Sequence, residues 1–336
     1  MASLALLRRL GRAPARAASG RRRVVSGAAP PPLSLSELDV DFGSLLGGGM
    51  CGSVCAGRFW ASGQEVAVKV VSPALAPPQM RSARSWPDIT SGATEREAFG
   101  RVLRARAVHP HVVEVVGCFE GTGEEAAGLV LELRAAAPAG EPLRYFVMER
   151  LSGESLHDRI LGSRGLPEEE AKQVTRALCK GLAWLHEQGI VHRDVKPANV
   201  LFDRCGQGAG VPPEDAPAPT PKLIDLSHAG VLPEAGAPSE PCLDRPLGTA
   251  GFVAPEVLAE RGPYGAQCDV FSLGCTVHAM VAGGRLPRPP RRGIGLLTNL
   301  PAGASPEVRG FLTALLDTEP GGRPTVAEAL QDPWLR

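Results

Sequence analysis

The sequence predicts an α+β fold in two parts, a smaller, mostly β part with one helix followed by a larger, mostly α part. Three observations predict it. Val66-Ala67-Val68-Lys69-Val70-Val71 is a β-branched apolar run of buried-strand length. Residues 167–188 carry a long amphipathic helical pattern. The 336 residues are 43% hydrophobic, enough for one large domain or two lobes with a sizeable core.

The elements follow in order. Residues 1–36 hold seven arginines and no acid, and Leu4, Leu6, Leu7 and Leu10 share a helical face. That texture suits an organelle transit peptide, for mitochondrion ahead of plastid, with 27–36 as a linker. A plain basic tail on a cytoplasmic protein is the alternative. The mostly β part is expected over 37–151 and the helical part over 152–336. Residues 45–58 form a glycine-rich hairpin. Residues 72–93, with Pro73, Pro77, Pro78 and Pro87, form a loop. A helix is expected over 94–108 with Ala98, Phe99, Val102 and Leu103 inward. Two strands follow, at 129–133 and 145–148. The helix at 167–188 opens with Glu168, Glu169 and Glu170, where the helix dipole favours negative charge. Residues 204–221 read as a surface insertion, and helices are expected at 269–281, 305–318 and 326–330.

Composition narrows the function. Beyond residue 36 the chain has 29 basic against 36 acidic side chains, which argues against a nucleic-acid-binding face. No apolar run approaches the length of about 18 residues that a spanning helix needs. Eight cysteines lack both CxxC pairs and zinc spacing, so buried thiols in a reducing compartment are expected.

Gly47, Gly49 and Gly52 form G-x-G-x-x-G, followed by Val54. Glycine lets the backbone approach a phosphate closely, although a structural turn or a dinucleotide-binding turn reads the same way. The dinucleotide reading wants an acid about 20 residues on, where this chain has Lys69 inside a strand. A buried ammonium must find an anion. Only five of the 36 basic side chains are lysine, so lysine at 69 and 196 is informative. In His192-Arg193-Asp194-Val195-Lys196-Pro197-Ala198-Asn199, Asp194 can accept a hydroxyl proton, Lys196 can neutralise phosphate charge and Asn199 can offer an oxygen to a cation.

With these motifs in this order, ending in Ala254-Pro255-Glu256, residues 40–336 resemble the eukaryotic protein kinase family, serine/threonine-specific. The resemblance implies a bilobal protein kinase fold that transfers the γ-phosphoryl of Mg·ATP to protein Ser or Thr hydroxyls, acting as a monomer. Leu46, Gly47, Gly48, Gly49, Met50, Cys51, Gly52, Ser53 and Val54 would cover the ATP phosphates. Val54 and Ala67 would sit above the adenine and Leu201 below it. Met148 would be the gatekeeper, with the backbone of Glu149 and Leu151 at the adenine edge. Lys69 would hold the α- and β-phosphates and pair with a helix glutamate. Glu97 is favoured for that pair because Arg96-Glu97-Ala98 resembles the usual local motif. His109-Pro110 then comes about three residues late, and Glu95, one turn before Ala98 and Phe99, is the alternative. Asp194 would be the catalytic base, assisted by Lys196 and bridged by Thr249. Asn199 and Asp225 would bind Mg²⁺. Glu256 would pair with Arg323, and Asp269 would cap the catalytic-loop backbone.

The chain departs from the family pattern in places. Asp225-Leu226-Ser227 replaces Asp-Phe-Gly, and the Cβ of Ser227 implies a less mobile metal loop. Asp244 is expected to pair with Arg193 in place of a phosphate, with Ser239 as the rival switch site. Prolines after Gly283 (Pro287, Pro289, Pro290) alter a docking face. A pseudokinase scaffold is the alternative from another class, and a small-molecule kinase of related fold is the second.

Overall fold

The computed structural model describes residues 37–49, 52–72, 92–121, 143–203, 218–233, 243, 247–259, 262–287 and 299–336. The transit-type segment 1–36, Met50, Cys51, the strand expected at 129–133, Ser239 and Asp244 lie outside them. So do most of the 72–93 loop, most of the 204–221 insertion, and Pro289 and Pro290.

Strands β1 (Leu38–Gly49), β2 (Gly52–Phe59), β3 (Glu65–Val71), β4 (Val115–Gly121) and β5 (Leu143–Glu149) form one antiparallel sheet in the order β1-β2-β3-β5-β4. The apolar run takes the middle: every β3 residue after Glu65 is buried, as expected for a strand paired on both sides. The glycine-rich segment is the β1–β2 hairpin, with Gly49 opposite Gly52.

Helix α1 (Ala93–Ala105) packs Ala98, Phe99 and Val102 into the core, and Phe99 meets the Phe146 ring of β5 edge-on at 4.9 Å. Glu95 shares this stripe, since 95, 98, 99 and 102 recur at helical spacing. The helix stops before 108 because Arg106 turns left-handed (φ 50°), and Leu103, expected inward, is exposed.

The helical part contains α2 (Leu156–Ser163), α3 (Glu168–Glu187), α4 (Pro255–Leu258), α5 (Gln267–Val281), α6 (Pro306–Leu315) and α7 (Val326–Ala329). Thirteen of the 15 residues of α5 are buried, so this helix runs through the core. Gly274 permits that: a Cβ there would lie 2.9 Å from the Leu316 side chain. Glu168 at the start of α3 accepts from Trp334 Nε1 at 3.0 Å, tying the last residues to that helix.

Four short strands carry the loops that matter for chemistry. β6 (Ile190–Val191) pairs with β9 (Gly230–Val231), and β7 (Val200–Asp203) pairs with β8 (Thr220–Leu223). Loop 192–199 joins β6 to β7 and loop 224–229 joins β8 to β9, so the pairing sets the loops side by side. Ile224 N donates to Asn199 O at 3.0 Å. Among the described residues no helix is long and apolar enough to cross a membrane. Cys55, Cys118, Cys179, Cys268 and Cys275 are free thiols, and burial pushes their pKa values up.

Candidate active site

Loop 192–199 is built on a buried carboxylate. Asp269, in the first turn of α5, accepts His192 N at 2.8 Å, Arg193 N at 2.7 Å and the His186 ring at 2.9 Å. Burial would raise its pKa, but these donors outweigh it and hold the carboxyl below its ordinary value. The anchor holds Arg193 at φ 64°, and Asp225 in the neighbouring loop has the same φ. Non-glycine residues in this region are strained, and such strain clusters at functional sites.

The turn sends Asp194 inward, 2% exposed. Thr249 Oγ1 donates to its Oδ1 at 2.6 Å. Lys196 Nζ and Asn199 Nδ2 donate to its Oδ2 at 2.7 and 2.9 Å. Lys196 Nζ also reaches Thr249 Oγ1 at 2.6 Å. Against burial, the neighbouring His228 ring and the hydrogen bonds from Lys196 and Thr249 hold Asp194 below the usual carboxylate value. Asp194 is therefore an ionised acceptor at neutral pH.

Lys69 points out of β3 and joins the sheet to the second loop. Its Nζ lies 2.7 Å from Asp225 Oδ1 and 2.9 Å from Glu95 Oε1. The two carboxylates outweigh the lowering effect of burial, so the lysine stays charged. Asp225 is held far below the carboxylate range: Lys69 and the N–H of Ser227 outweigh its burial. Lys69 and Asp225 thus meet directly across 156 residues of chain.

Glu97 is not the partner of Lys69. It is exposed on the far side of α1 from the buried stripe that carries Glu95. The local resemblance around Arg96-Glu97-Ala98 was outweighed by helical phase.

Around this centre, Val54 lies opposite Lys69 and Ala67 opposite Met148 in the sheet register. Val54, Leu151 and Leu201 are half-buried, and Met148 is buried. Leu46, Gly47 and Gly48 are exposed along the hairpin, with open space where Gly47 and Gly48 lack a Cβ. Gly52 is different, because a Cβ there would collide with the Val70 carbonyl. Ser53 pairs with Gly48, so the strands stay joined close to the tip.

Sequence reasoning missed three contacts. Lys222 Nζ, on β8, lies 2.7 Å from both carboxylate oxygens of Glu149, pinning the end of β5 to the helical part. Its signal was its rarity as one of five lysines. Arg193 uses its guanidinium on the His228 carbonyl, on Ala229 O at 3.0 Å and on Tyr264 Oη at 3.3 Å. His228 lies buried beside Asp194.

Glu256 and Arg323 form a two-pronged pair, both contacts at 2.8 Å, with the Arg323 side chain fully buried. Among the described residues no group of three or more His, Cys, Asp or Glu could hold a metal ion by itself.

The family model "Protein kinase domain" matches residues 40–335. Ribosomal protein S6 kinase 2 alpha of Gallus gallus is 33% identical over 210 residues, 57% of this chain and 25% of that protein. CBL-interacting protein kinase 20 of Oryza sativa subsp. japonica is 29% identical over 304 residues, 88% of this chain and 57% of that protein. MAP kinase-interacting serine/threonine-protein kinase mnk-1 of Caenorhabditis elegans is 32% identical over 255 residues, 71% and 29% respectively. The chain thus spans between a quarter and just over half the length of these relatives.

Proposed function

We propose, from the premise that this chain belongs to the protein kinase family, that it transfers the γ-phosphoryl of ATP to Ser or Thr hydroxyls of protein substrates. One observation carries this reading: Lys69, Glu95 and Asp225 meet in direct contact, beside a loop whose Asp194, Lys196 and Asn199 contact one another and Thr249.

The family uses ATP with a divalent metal, and Mg²⁺ is the assignment the donors favour. Asp225 supplies a carboxylate. Asn199 spends its amide N–H donors on Asp194, which turns its carbonyl oxygen to other partners. Two oxygen ligands, completed by phosphates and water, suit this hard cation. When bound, the metal neutralises charge on the phosphates.

The protein's own groups do the rest by positioning and electrostatics. The hairpin glycines admit the phosphates, and Lys69, oriented by Glu95, holds the α- and β-phosphates. Val54, Ala67, Met148 and Leu201 bound the adenine, with Glu149 and Leu151 offering backbone groups at its edge. Asp194 accepts a hydrogen bond from the substrate hydroxyl and aims its oxygen at the γ-phosphorus. As the bond from the substrate oxygen to the γ-phosphorus forms, the bond from that phosphorus to the β-phosphate oxygen breaks, ADP leaves and Asp194 takes the hydroxyl proton. Lys196 neutralises charge on the moving phosphoryl group, and Thr249 fixes both Asp194 and Lys196.

Incubation with labelled ATP, Mg²⁺ and generic peptides, then phosphoamino-acid analysis, tests the reading. Label on Ser or Thr, absent with Asp194→Ala, is expected; no transfer to peptide by the folded parent contradicts it. The protein works as a monomer, which light scattering checks. Residues 1–36 act as an organelle import signal, which a fluorescent-protein fusion checks.

A further inference from the structure

His228 belongs to none of the kinase motifs, yet it is 6% exposed and sits against the site's central carboxylate. Its Nδ1 lies 3.2 Å from Ser227 Oγ and 3.7 Å from Asp194 Oδ2. Its Nε2 is buried and, among the described residues, has no partner. The Ser227-His228 pair touches three functional groups. Ser227 N donates to Asp225 Oδ1 at 3.2 Å, the His228 carbonyl accepts from Arg193 Nε, and the imidazole faces Asp194.

These contacts favour a proton on Nδ1. The Asp194 carboxylate can only accept and the Ser227 hydroxyl can accept as well, so Nδ1–H suits both neighbours. The alternative tautomer would bury an N–H at Nε2 without an acceptor and turn a lone pair toward a negative oxygen, which costs more than an idle lone pair. Burial, opposed by Asp194 and Asp225, keeps the ring below its ordinary pKa and neutral. At 3.7 Å the contact to Asp194 is longer than a hydrogen bond. Catalytic contacts commonly tighten once substrate is bound.

We propose that His228 is a positioning residue for phosphoryl transfer, its Nδ1–H steadying the Asp194 carboxylate while its backbone and Ser227 tie the metal-binding loop to the catalytic loop. The inference rests on the reading of Asp194 as the base.

Two measurements on the full chain test it. In ¹⁵N-histidine NMR, the His228 signals, assigned by their loss in His228→Asn, are expected to show the Nδ1–H tautomer and to move in Asp194→Asn. An Nε2–H tautomer overturns the inference whatever the activity. In kinetics, His228→Leu fills the space without a donor, and kcat is expected to fall about tenfold with the KM for ATP within about twofold. His228→Asn restores an N–H near the Nδ1 position and is expected to recover most of the loss. A parental kcat in His228→Leu, or Asn no better than Leu, overturns the inference. An inactive parent would instead sink the kinase reading, and the NMR result would still decide the placement of the proton.

Discussion

Glu95→Gln separates what the Lys69 pair does for function from what it does for stability. The 2.9 Å contact is a buried, charge-assisted hydrogen bond, and such bonds contribute about 1.5–3 kcal/mol. If that energy aims Lys69 at the phosphates, its loss lowers kcat/KM by about 10–100-fold. Stability responds differently. Burial, opposed by Lys69 and reinforced by Asp225, pushes Glu95 from 4.5 up to about 7. The fold therefore disfavours the ionised carboxylate relative to its protonated form. Folded Glu95 keeps its proton from pH 4.5 to about 7 while the unfolded chain has released it, so its contribution to stability falls as pH rises through that window. Gln cannot titrate, so the variant lacks this fall and at pH 8 is as stable as the parent or more so. Peptide phosphorylation kinetics and urea denaturation at pH 5 and pH 8 measure both quantities, with exposed Glu97→Gln as control, expected within about twofold of the parent. A parental kcat/KM in Glu95→Gln, or the loss appearing in Glu97→Gln instead, refutes the reasoning.

Other perturbations have equally definite outcomes. Arg323→Ala leaves Glu256 partly buried and unpaired and removes an Arg stacked 5.0 Å over the Phe271 ring; urea denaturation should show a loss of about 3–5 kcal/mol. Asp269→Asn turns an amide N–H₂ toward backbone donors and should cost about 3 kcal/mol at pH 7. Because the folded pKa of Asp269 is depressed, its stabilisation is full above 3.8 and lost as pH falls toward the lower folded value, so acid denaturation of the variant should be shallower. Lys222→Met leaves the Glu149 carboxylate with the Glu114 N–H but no cation and should raise the KM for ATP about threefold or more through a looser β5 end, read by initial rates. Gly52→Ala places a Cβ against the Val70 carbonyl and should lower the melting temperature, whereas Gly48→Ala, with open space at its Cβ, should not.

The parts of the fold that were legible are those whose signal is local. The Val66–Val71 run could only be an inner strand, and the 3.6-residue repeat of 167–188 gave α3 to within a residue at each end. The loop from His192 to Asn199 was legible because several groups of matched chemistry sit within one turn. The Lys69 partner was legible too, but in a different signal. Ala98, Phe99 and Val102 mark the buried stripe of α1, and Glu95 falls on it while Glu97 does not. The end of α1 was overrun because Arg106 adopts a left-handed conformation that favours glycine or asparagine. What stayed hidden depends on approach between distant segments. Glu149 and Lys222 are 73 positions apart, and nothing in either segment announces the other. His228 meets Asp194 only because β6–β9 and β7–β8 pairing sets two loops together.

The central claim is that Lys69, Asp194 and Asp225, far apart in the chain, form one centre that moves a phosphoryl group. The turnover of the parent and of Asp194→Ala, compared under equal saturation with Mg·ATP, tests it most directly. The account predicts a fall of about a thousandfold or more in kcat, with nucleotide binding by calorimetry unchanged within about threefold. Equal turnover in both proteins, or a folded parent that binds Mg·ATP and phosphorylates nothing, contradicts it.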